Sequence, residues 1–146
     1  MKSLVKIFAL VGLVVASYVP SFANGPKSSL NRMHVNTVVE AYINSSVNGQ
    51  SEFAQEILSD DFVQRYQTGY KQSPVKKNAY IKHIKSLAGV KYDCNTAVEM
   101  IEESNGFSIA KVTLTFDHFT RTDYVSLTED ANGWKVKEVN SVFQNK

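Results

Sequence analysis

Asp123 is the residue of this sequence whose setting most directly indicates chemistry. It shares one face of a predicted strand with Val125 and Leu127, because side chains alternate between the two faces of a strand. A carboxylate among these residues and Phe116 would be partly desolvated and therefore a stronger base than one in water. Asp123 is thus a candidate general base for enolising a carbonyl substrate. The alternative is a structural role, in which Arg121 on the same face or a backbone donor near the rim of the site binds the carboxylate.

His118 is the second candidate for catalysis. It lies in or beside the predicted loop between two long strands, close in sequence to Asp123. If the loop folds over the site, His118 can act with Asp123 as an acid–base pair. Otherwise it is an exposed loop histidine. No metal site is predicted, because His34, His83 and His118 are scattered over different elements and lack the spacing of metal ligands.

The same region is predicted to line a ligand pocket. Small-molecule sites combine apolar walls with a few polar groups that orient the ligand. Two aromatic residues of the set, Tyr42 and Trp134, either contact the ligand or plug one end of the core. Fingerprints for phosphate or dinucleotide binding are absent from the sequence, so no cofactor is predicted. The predicted ligand-binding residues are Tyr42, Phe116, Asp123, Val125, Trp134, Glu138 and Asn140.

Three helices are predicted before the strands. Apolar residues recur at helical spacing over 33–47, and Gly49 follows as a stop signal. Ser51 can cap a second, short helix. A third helix would begin at Ser73-Pro74 and end before Gly89.

After Gly89 the apolar pattern changes from helical to alternating and remains so to the end of the chain. This change predicts four strands joined as a meander, with a turn at Asp130-Ala131-Asn132-Gly133 between the last two. Phe62 and Val63 are predicted to form only a short extended piece. The fold class is therefore α+β, with three N-terminal helices packed on a curved antiparallel sheet of four main strands.

The N-terminal segment has the pattern of a secretory signal peptide. Lys2 and Lys6 precede a short apolar run, and small residues precede a cleavage position after Ala23. The run is too short to span a membrane, which takes roughly 20 residues. We therefore predict a signal peptide over 1–23, a mobile leader over 24–31 and one domain over 32–146. The protein would be periplasmic or secreted, without a membrane anchor after cleavage.

Charge excludes several partners. The chain has 16 basic and 14 acidic residues, and loss of Lys2 and Lys6 with the signal peptide leaves 14 of each. Binding to nucleic acid or to an anionic membrane requires a clustered positive excess, so neither partner is predicted. Cys94 is the only cysteine and has no partner for an intramolecular disulfide.

The C-terminal hairpin resembles that of the nuclear-transport-factor-2-like superfamily, and within it the branch of small bacterial proteins described as putative lumazine-binding. The pattern is Asp-Tyr-x-x-Leu followed by Gly-Trp-Lys-Val, and the resemblance covers roughly 35–143. It implies a cone-shaped cystatin-like fold, a heteroaromatic ligand and a homodimer formed through the outer sheet face. The matching positions are Tyr42-Ile43, Asn48-Gly49, Asp123, Tyr124, Leu127, Gly133, Trp134, Lys135, Val136 and Phe143.

Three functions follow as hypotheses. The first is an exported domain that binds a largely apolar or heteroaromatic molecule in a cone-shaped pocket without catalysis. The second is an enzyme similar to ketosteroid isomerase or a dehydratase, in which Asp123 is the general base and His118 acts with it as an acid–base pair. The third is a structural or interaction domain whose cone is filled by its own side chains. A pocket smaller than the roughly 300 Å³ typical of ligand sites would favour the third.

Overall fold

The computed structural model describes residues 29–68 and 73–146. The predicted signal peptide and residues 24–28 of the predicted leader lie outside these ranges, so both remain predictions from sequence. Within the two ranges, none of the helices has the length and apolar character needed to cross a membrane.

The helices are α1 (Val35–Ser46), α2 (Ala54–Ile57) and α3 (Lys77–Ser86). The amphipathic pattern of the first helix predicted its buried face correctly, including Val38 and Tyr42. The predicted start of the third helix at Ser73-Pro74 is wrong. Val75 and Lys76, which follow the proline, instead pair with a neighbouring strand, and α3 begins only at Lys77.

The sheet has six strands in the order β2-β1-β6-β5-β4-β3. The predicted meander of four strands is present as β3 to β6, but the predicted count omitted β1 and β2. The first of these pairs parallel to β6 and antiparallel to β2. The strand bounds are β1 Leu58–Gln67, β2 Val75–Lys76, β3 Asn95–Ser104, β4 Phe107–Thr115, β5 Phe119–Asp130 and β6 Gly133–Asn145.

A β-bulge in β6 decides which of its side chains face the core. Leu127 pairs with Val136 and Ser126 pairs with Glu138, so Lys137 is an extra residue without a partner in β5. Because side chains alternate, one extra residue reverses the faces of everything that follows. Trp134 and Val136 are buried before the bulge, whereas Val139 and Ser141 are buried after it.

The core lies between the helices and the concave face of the sheet. Its fully buried large side chains include Tyr42 of α1, Phe62 of β1, Leu114 of β4 and Leu127 of β5. Burying one such aliphatic side chain stabilises a fold by roughly 1.5–3 kcal/mol. The edge strand β3 extends beyond the cover of the helices, and its Val98 is 48% exposed.

The hairpin turn before β6 is packed against the segment that precedes α1. The backbone N–H of Trp134 donates to the carbonyl of Arg32 at 2.7 Å. Gly133 has φ of 102°, and a Cβ added there would lie 2.5 Å from the Arg32 carbonyl oxygen. Glycine is therefore required at this position both by conformation and by the approach of another backbone.

We expect Gly133→Ala to lower the free energy of unfolding by roughly 2–4 kcal/mol, because strain at positive φ adds to a backbone clash. Gly106→Ala is the matched control, since Gly106 has φ of 74° and nothing within 4 Å of an added Cβ. In Gly106→Ala the free energy of unfolding should fall only by the cost of positive φ for a residue with a Cβ, about 1–2 kcal/mol. Urea denaturation measures both, and equal losses would contradict the packing of Arg32 on the turn.

Candidate functional site

Asp123 lies at the centre of a buried hydrogen-bond network. Its side chain is fully buried, and that of Arg121 is 12% exposed. The two residues are neighbours on the inner face of β5. Arg121 donates through Nε to Oδ1 and through Nη2 to Oδ2, each at 2.8 Å. This two-point geometry is the strongest form of an arginine–carboxylate pair, and it is the contact that the structural alternative for Asp123 requires.

Three other elements supply side chains to the same network. The hydroxyl of Tyr42 in α1 donates to Oδ2 of Asp123 at 2.9 Å. The hydroxyl of Ser141 in β6 donates to Oδ1, and Gln64 Nε2 of β1 donates to the Ser141 hydroxyl at 2.7 Å. The Asp123 carboxylate thus accepts four hydrogen bonds, two on each oxygen. Both oxygens are occupied by the protein itself, which leaves little capacity to take a proton from a substrate.

The electrostatics of the network keep its tyrosines and its guanidinium in their ordinary protonation states. Burial, followed by the negative charge of Asp123, raises the pKa of Tyr42 well above its usual value. Burial also raises the pKa of Tyr80. Burial opposes the charged form of Arg121, but Tyr42 and Asp123 more than compensate and raise the pKa of Arg121. At neutral pH the tyrosines are therefore protonated and the guanidinium is charged.

The space left inside the cone beside this network is small. The cavity has a volume of about 20 Å³ and is lined by Ser46, Tyr66, Tyr80, Tyr92 and Arg121 among others. A volume of this size holds a single water-sized atom. Among the described residues the interior of the cone is therefore filled by its own side chains, as the third hypothesis expects, and the predicted pocket with Asp123 at its open end is not found there.

A larger, open groove of about 300 Å³ lies at the mouth of the cone. Phe116 and Phe119 stack with their ring centres 4.4 Å apart. Tyr92 lies 6.2 Å from Phe116, and Phe143 lies 6.3 Å from Phe119. We call this set, together with Arg121, the aromatic groove; it is lined by Tyr92, Phe116, Phe119, Arg121 and Phe143.

Only one of the predicted ligand-binding residues, Phe116, lines the aromatic groove. Tyr42 and Asp123 belong to the network behind Arg121, and Val125 is fully buried in the core. Trp134 lies seven residues before Ser141 on β6, which corresponds to roughly 20 Å along a strand. It therefore fills the hairpin end of the core, as the alternative interpretation held.

The prediction that Glu138 and Asn140 face the pocket is wrong. Both follow the bulge of β6, so they lie on the outer face, where Asn140 pairs with Tyr124. Glu138 accepts from Arg65 Nε at 3.3 Å and from Asn140 Nδ2 at 2.7 Å. The extra residue at Lys137 reverses the alternation on which the prediction was based.

His118 is exposed in the connection before β5. It has no hydrogen bond to Asp123, and the four donors of that carboxylate come from Tyr42, Arg121 and Ser141. Within residues 29–68 and 73–146, no group of three or more His, Cys, Asp or Glu side chains is placed to hold a metal ion.

Sequence reasoning missed most of the groove. Phe119, Arg121 and Asp123 occupy every second position of β5 and therefore share one face. The two-residue period of a strand could have predicted that Phe119 lies on the same side as the candidate carboxylate. Phe143 pairs with Arg121 across the two strands, but its face depends on the bulge. Tyr92 precedes β3 in irregular chain, where no periodic pattern indicates its direction.

Comparison with known proteins gives one family and a common fold. Residues 30–144 match the family described as "Putative lumazine-binding". The curated proteins include no significant match.

The solved structures that resemble this chain come from several bacteria. An NTF2-like protein of unknown function from Silicibacter pomeroyi is 13% identical, with 76% of this chain and 92% of that chain covered and a TM-score of 0.60. An NTF2-like protein from Cytophaga hutchinsonii is 16% identical, with coverages of 74% and 93% and a TM-score of 0.59. An uncharacterized protein with a cystatin-like fold from Caulobacter vibrioides is 13% identical, with coverages of 76% and 87% and a TM-score of 0.59. At such identities the likeness shows the fold alone.

We expect Asp123→Asn and Arg121→Met each to lower the free energy of unfolding by about 3–5 kcal/mol, because each leaves the other buried group without its partner. The double variant should lose clearly less than the sum of the two. A double-mutant cycle measured by urea denaturation gives the coupling.

Arg65 and Glu138 provide the matched control pair. Their side chains are 44% and 34% exposed, at a separation of 3.3 Å. Solvent screens such pairs, so Arg65→Met and Glu138→Gln should couple by no more than about 1 kcal/mol. A coupling at Arg121 and Asp123 as small as this would contradict the central role of the buried pair.

Proposed function

The chain belongs to the putative lumazine-binding family of the nuclear-transport-factor-2-like superfamily, and from this membership we propose that it is an exported small-molecule-binding domain. The site is the aromatic groove at the mouth of the cone. Its ligand is a flat, largely apolar or heteroaromatic molecule. The earlier expectation from the C-terminal hairpin is thereby confirmed for the family, while the ligand and export are our proposal.

The proposal rests on one observation: aromatic rings in contact with one another lie beside the guanidinium of Arg121, which Asp123 holds in place. Phe116, Phe119 and Phe143 offer ring faces and edges on which a flat molecule can stack. Arg121 has five N–H donors, of which two bond to Asp123. The remaining donors are available to a carbonyl oxygen or ring nitrogen. The groove volume of about 300 Å³ lies at the lower end of the range for ligand sites.

Charge favours a neutral ligand. The positive charge of Arg121 is balanced by Asp123 at 2.8 Å, so the pair carries no net charge toward the groove. An anionic ligand would lose its hydration without gaining an unpaired cation. A neutral heteroaromatic molecule with polar edges, such as lumazine, meets both the ring faces and the donors.

Binding without turnover fits the site better than catalysis. A general base must reach the proton that it removes and must have a free oxygen to accept it. Asp123 is fully buried, and both of its oxygens accept two hydrogen bonds from the protein. The enzyme alternative with Asp123 as base and His118 as its aid is therefore the weaker proposal.

A homodimer through the outer sheet face remains part of the proposal. This face carries Thr113, Thr122 and Tyr124, and Tyr124 is 37% exposed. β-Branched and aromatic residues of this kind can pack against the same face of a second copy.

We expect lumazine to bind the purified mature protein and Phe143→Ala to weaken this binding about tenfold or more, because one stacking partner is worth roughly 1–3 kcal/mol. Phe107→Ala is the matched control. Phe107 is 38% exposed, compared with 41% for Phe143, but lies at the opposite end of β4 from the groove. Calorimetric titration measures the affinities. Absence of binding, or equal effects of the two variants, would contradict the proposal.

We expect native mass spectrometry of the protein recovered from cells to give a dimer of chains that begin at Asn24. Tyr124→Glu should convert it to a monomer, because a charge would be buried in the interface. Val98→Glu should not, since Val98 pairs with inward-facing Val112 and so lies on the other face of the sheet. An uncleaved chain would contradict export, and a wild-type monomer would contradict the dimer.

A further inference from the structure

Two buried hydroxyl groups beside the network make no hydrogen bond of ordinary geometry within the described residues. They are Tyr80 Oη and Ser46 Oγ. Tyr80 is 3% exposed, so water does not reach its hydroxyl freely. An unpaired buried polar group is costly and uncommon in native proteins. The two groups therefore require an explanation.

Both residues line the same small cavity. Its volume of about 20 Å³ has room for one oxygen atom. Tyr92 and Arg121 line this cavity and also line the aromatic groove. The cavity therefore borders the groove at these two side chains.

We propose that the small cavity is a subsite for one carbonyl oxygen of the ligand in the aromatic groove, with the Tyr80 hydroxyl as hydrogen-bond donor. The inference rests on the proposed function, because the ligand's ring must stack in the groove for its oxygen to enter the cavity. Ser46 supplies a second hydroxyl at the same cavity. The ligand class becomes narrower: a flat aromatic ring that bears a neutral carbonyl group.

The charges around the cavity favour a carbonyl over a carboxylate. Arg121 is already paired with Asp123, and Tyr42 is engaged with the same carboxylate. Burial raises the pKa of Tyr80, so its hydroxyl keeps its proton at neutral pH and can donate it in a hydrogen bond. A carboxylate oxygen would lie near Asp123 without a cation of its own. A neutral carbonyl needs only the donor that Tyr80 offers.

The pair 2-quinolone and quinoline tests the subsite, because the two fused rings are similar and only the first bears a carbonyl group. A site that hydrogen-bonds a ligand oxygen discriminates against an analogue that lacks it. We expect the wild-type protein to bind 2-quinolone about tenfold more tightly than quinoline. Tyr80→Phe should reduce this preference to about twofold or less while leaving the affinity for quinoline unchanged. Tyr124→Phe, the same change on the outer face, should keep the full preference.

A stability measurement separates this role from a merely structural one. If the Tyr80 hydroxyl has no partner in the free protein, Tyr80→Phe should leave the urea midpoint unchanged or raise it. Tyr42→Phe should lower the midpoint, because it removes a hydrogen bond to buried Asp123. A loss at Tyr80 equal to the loss at Tyr42 would overturn the proposal, since the hydroxyl would then be satisfied within the protein.

The outcomes distinguish the two proposals. If 2-quinolone and quinoline bind with equal affinity to wild type, the groove is supported and the carbonyl subsite is overturned. The same conclusion follows if the preference survives Tyr80→Phe. If neither compound nor lumazine binds, the groove itself fails and the subsite fails with it.

Discussion

The buried pair of Arg121 and Asp123 is the interaction on which the rest of the structure depends. Removing two charges from water costs several kcal/mol per ion, and only good geometry with further hydrogen bonds offsets that cost. Here the offset requires Tyr42 of α1 and Ser141 of β6, with Gln64 of β1 behind the serine. The pair therefore forms well only when one helix and three strands have reached their correct register. Such a requirement favours a single arrangement of the elements over near alternatives.

The same pair also determines how hydrogen-bond donors are arranged at the mouth of the cone. Arg121 is held in one orientation by two bonds to Asp123, so its other donors are fixed relative to the phenylalanine rings. A ligand would not have to order this side chain on binding, and that lowers the cost of association. The filled interior and the open aromatic groove are thus connected: the network that occupies the depth of the cone also supports the surface at its mouth.

The sequence was sufficient for the parts of the fold that depend on regular alternation. The period of two placed Asp123, Val125 and Leu127 on one face, and the turn at Gly133 was recognised from its residue types. The sequence was insufficient where a β-bulge shifts the alternation of inward and outward side chains by one residue. The bulge at Lys137 is marked only by the three-residue step from Val136 to Val139, and the prediction continued the earlier alternation, so it assigned Glu138 and Asn140 to the wrong face.

Two further errors have different physical causes. After Leu58, β1 continues with three polar residues, Ser59 to Asp61, and alternates only from Phe62 onward, so its sequence does not indicate most of the strand. Its conformation is imposed by pairing with β6 and β2 rather than by its own preferences. The aromatic groove was missed because its residues come from three separate connections and strand ends. Their proximity is a property of the folded chain and not of any one segment.

The parallel pairing of β1 with β6 also constrains the order in which the molecule can form. These strands are joined through almost the entire domain, whereas β3 to β6 are joined by short turns and can associate early. Contacts between distant parts of a chain form slowly, because a long loop must close before they contribute. The Gln64–Ser141 contact links the two distant strands, so the network is complete only when β6 has paired with β1. Until β6 joins it, the edge of β1 that β6 covers stays unpaired, so the buried network and the mouth of the cone are expected to form late in the folding of the domain.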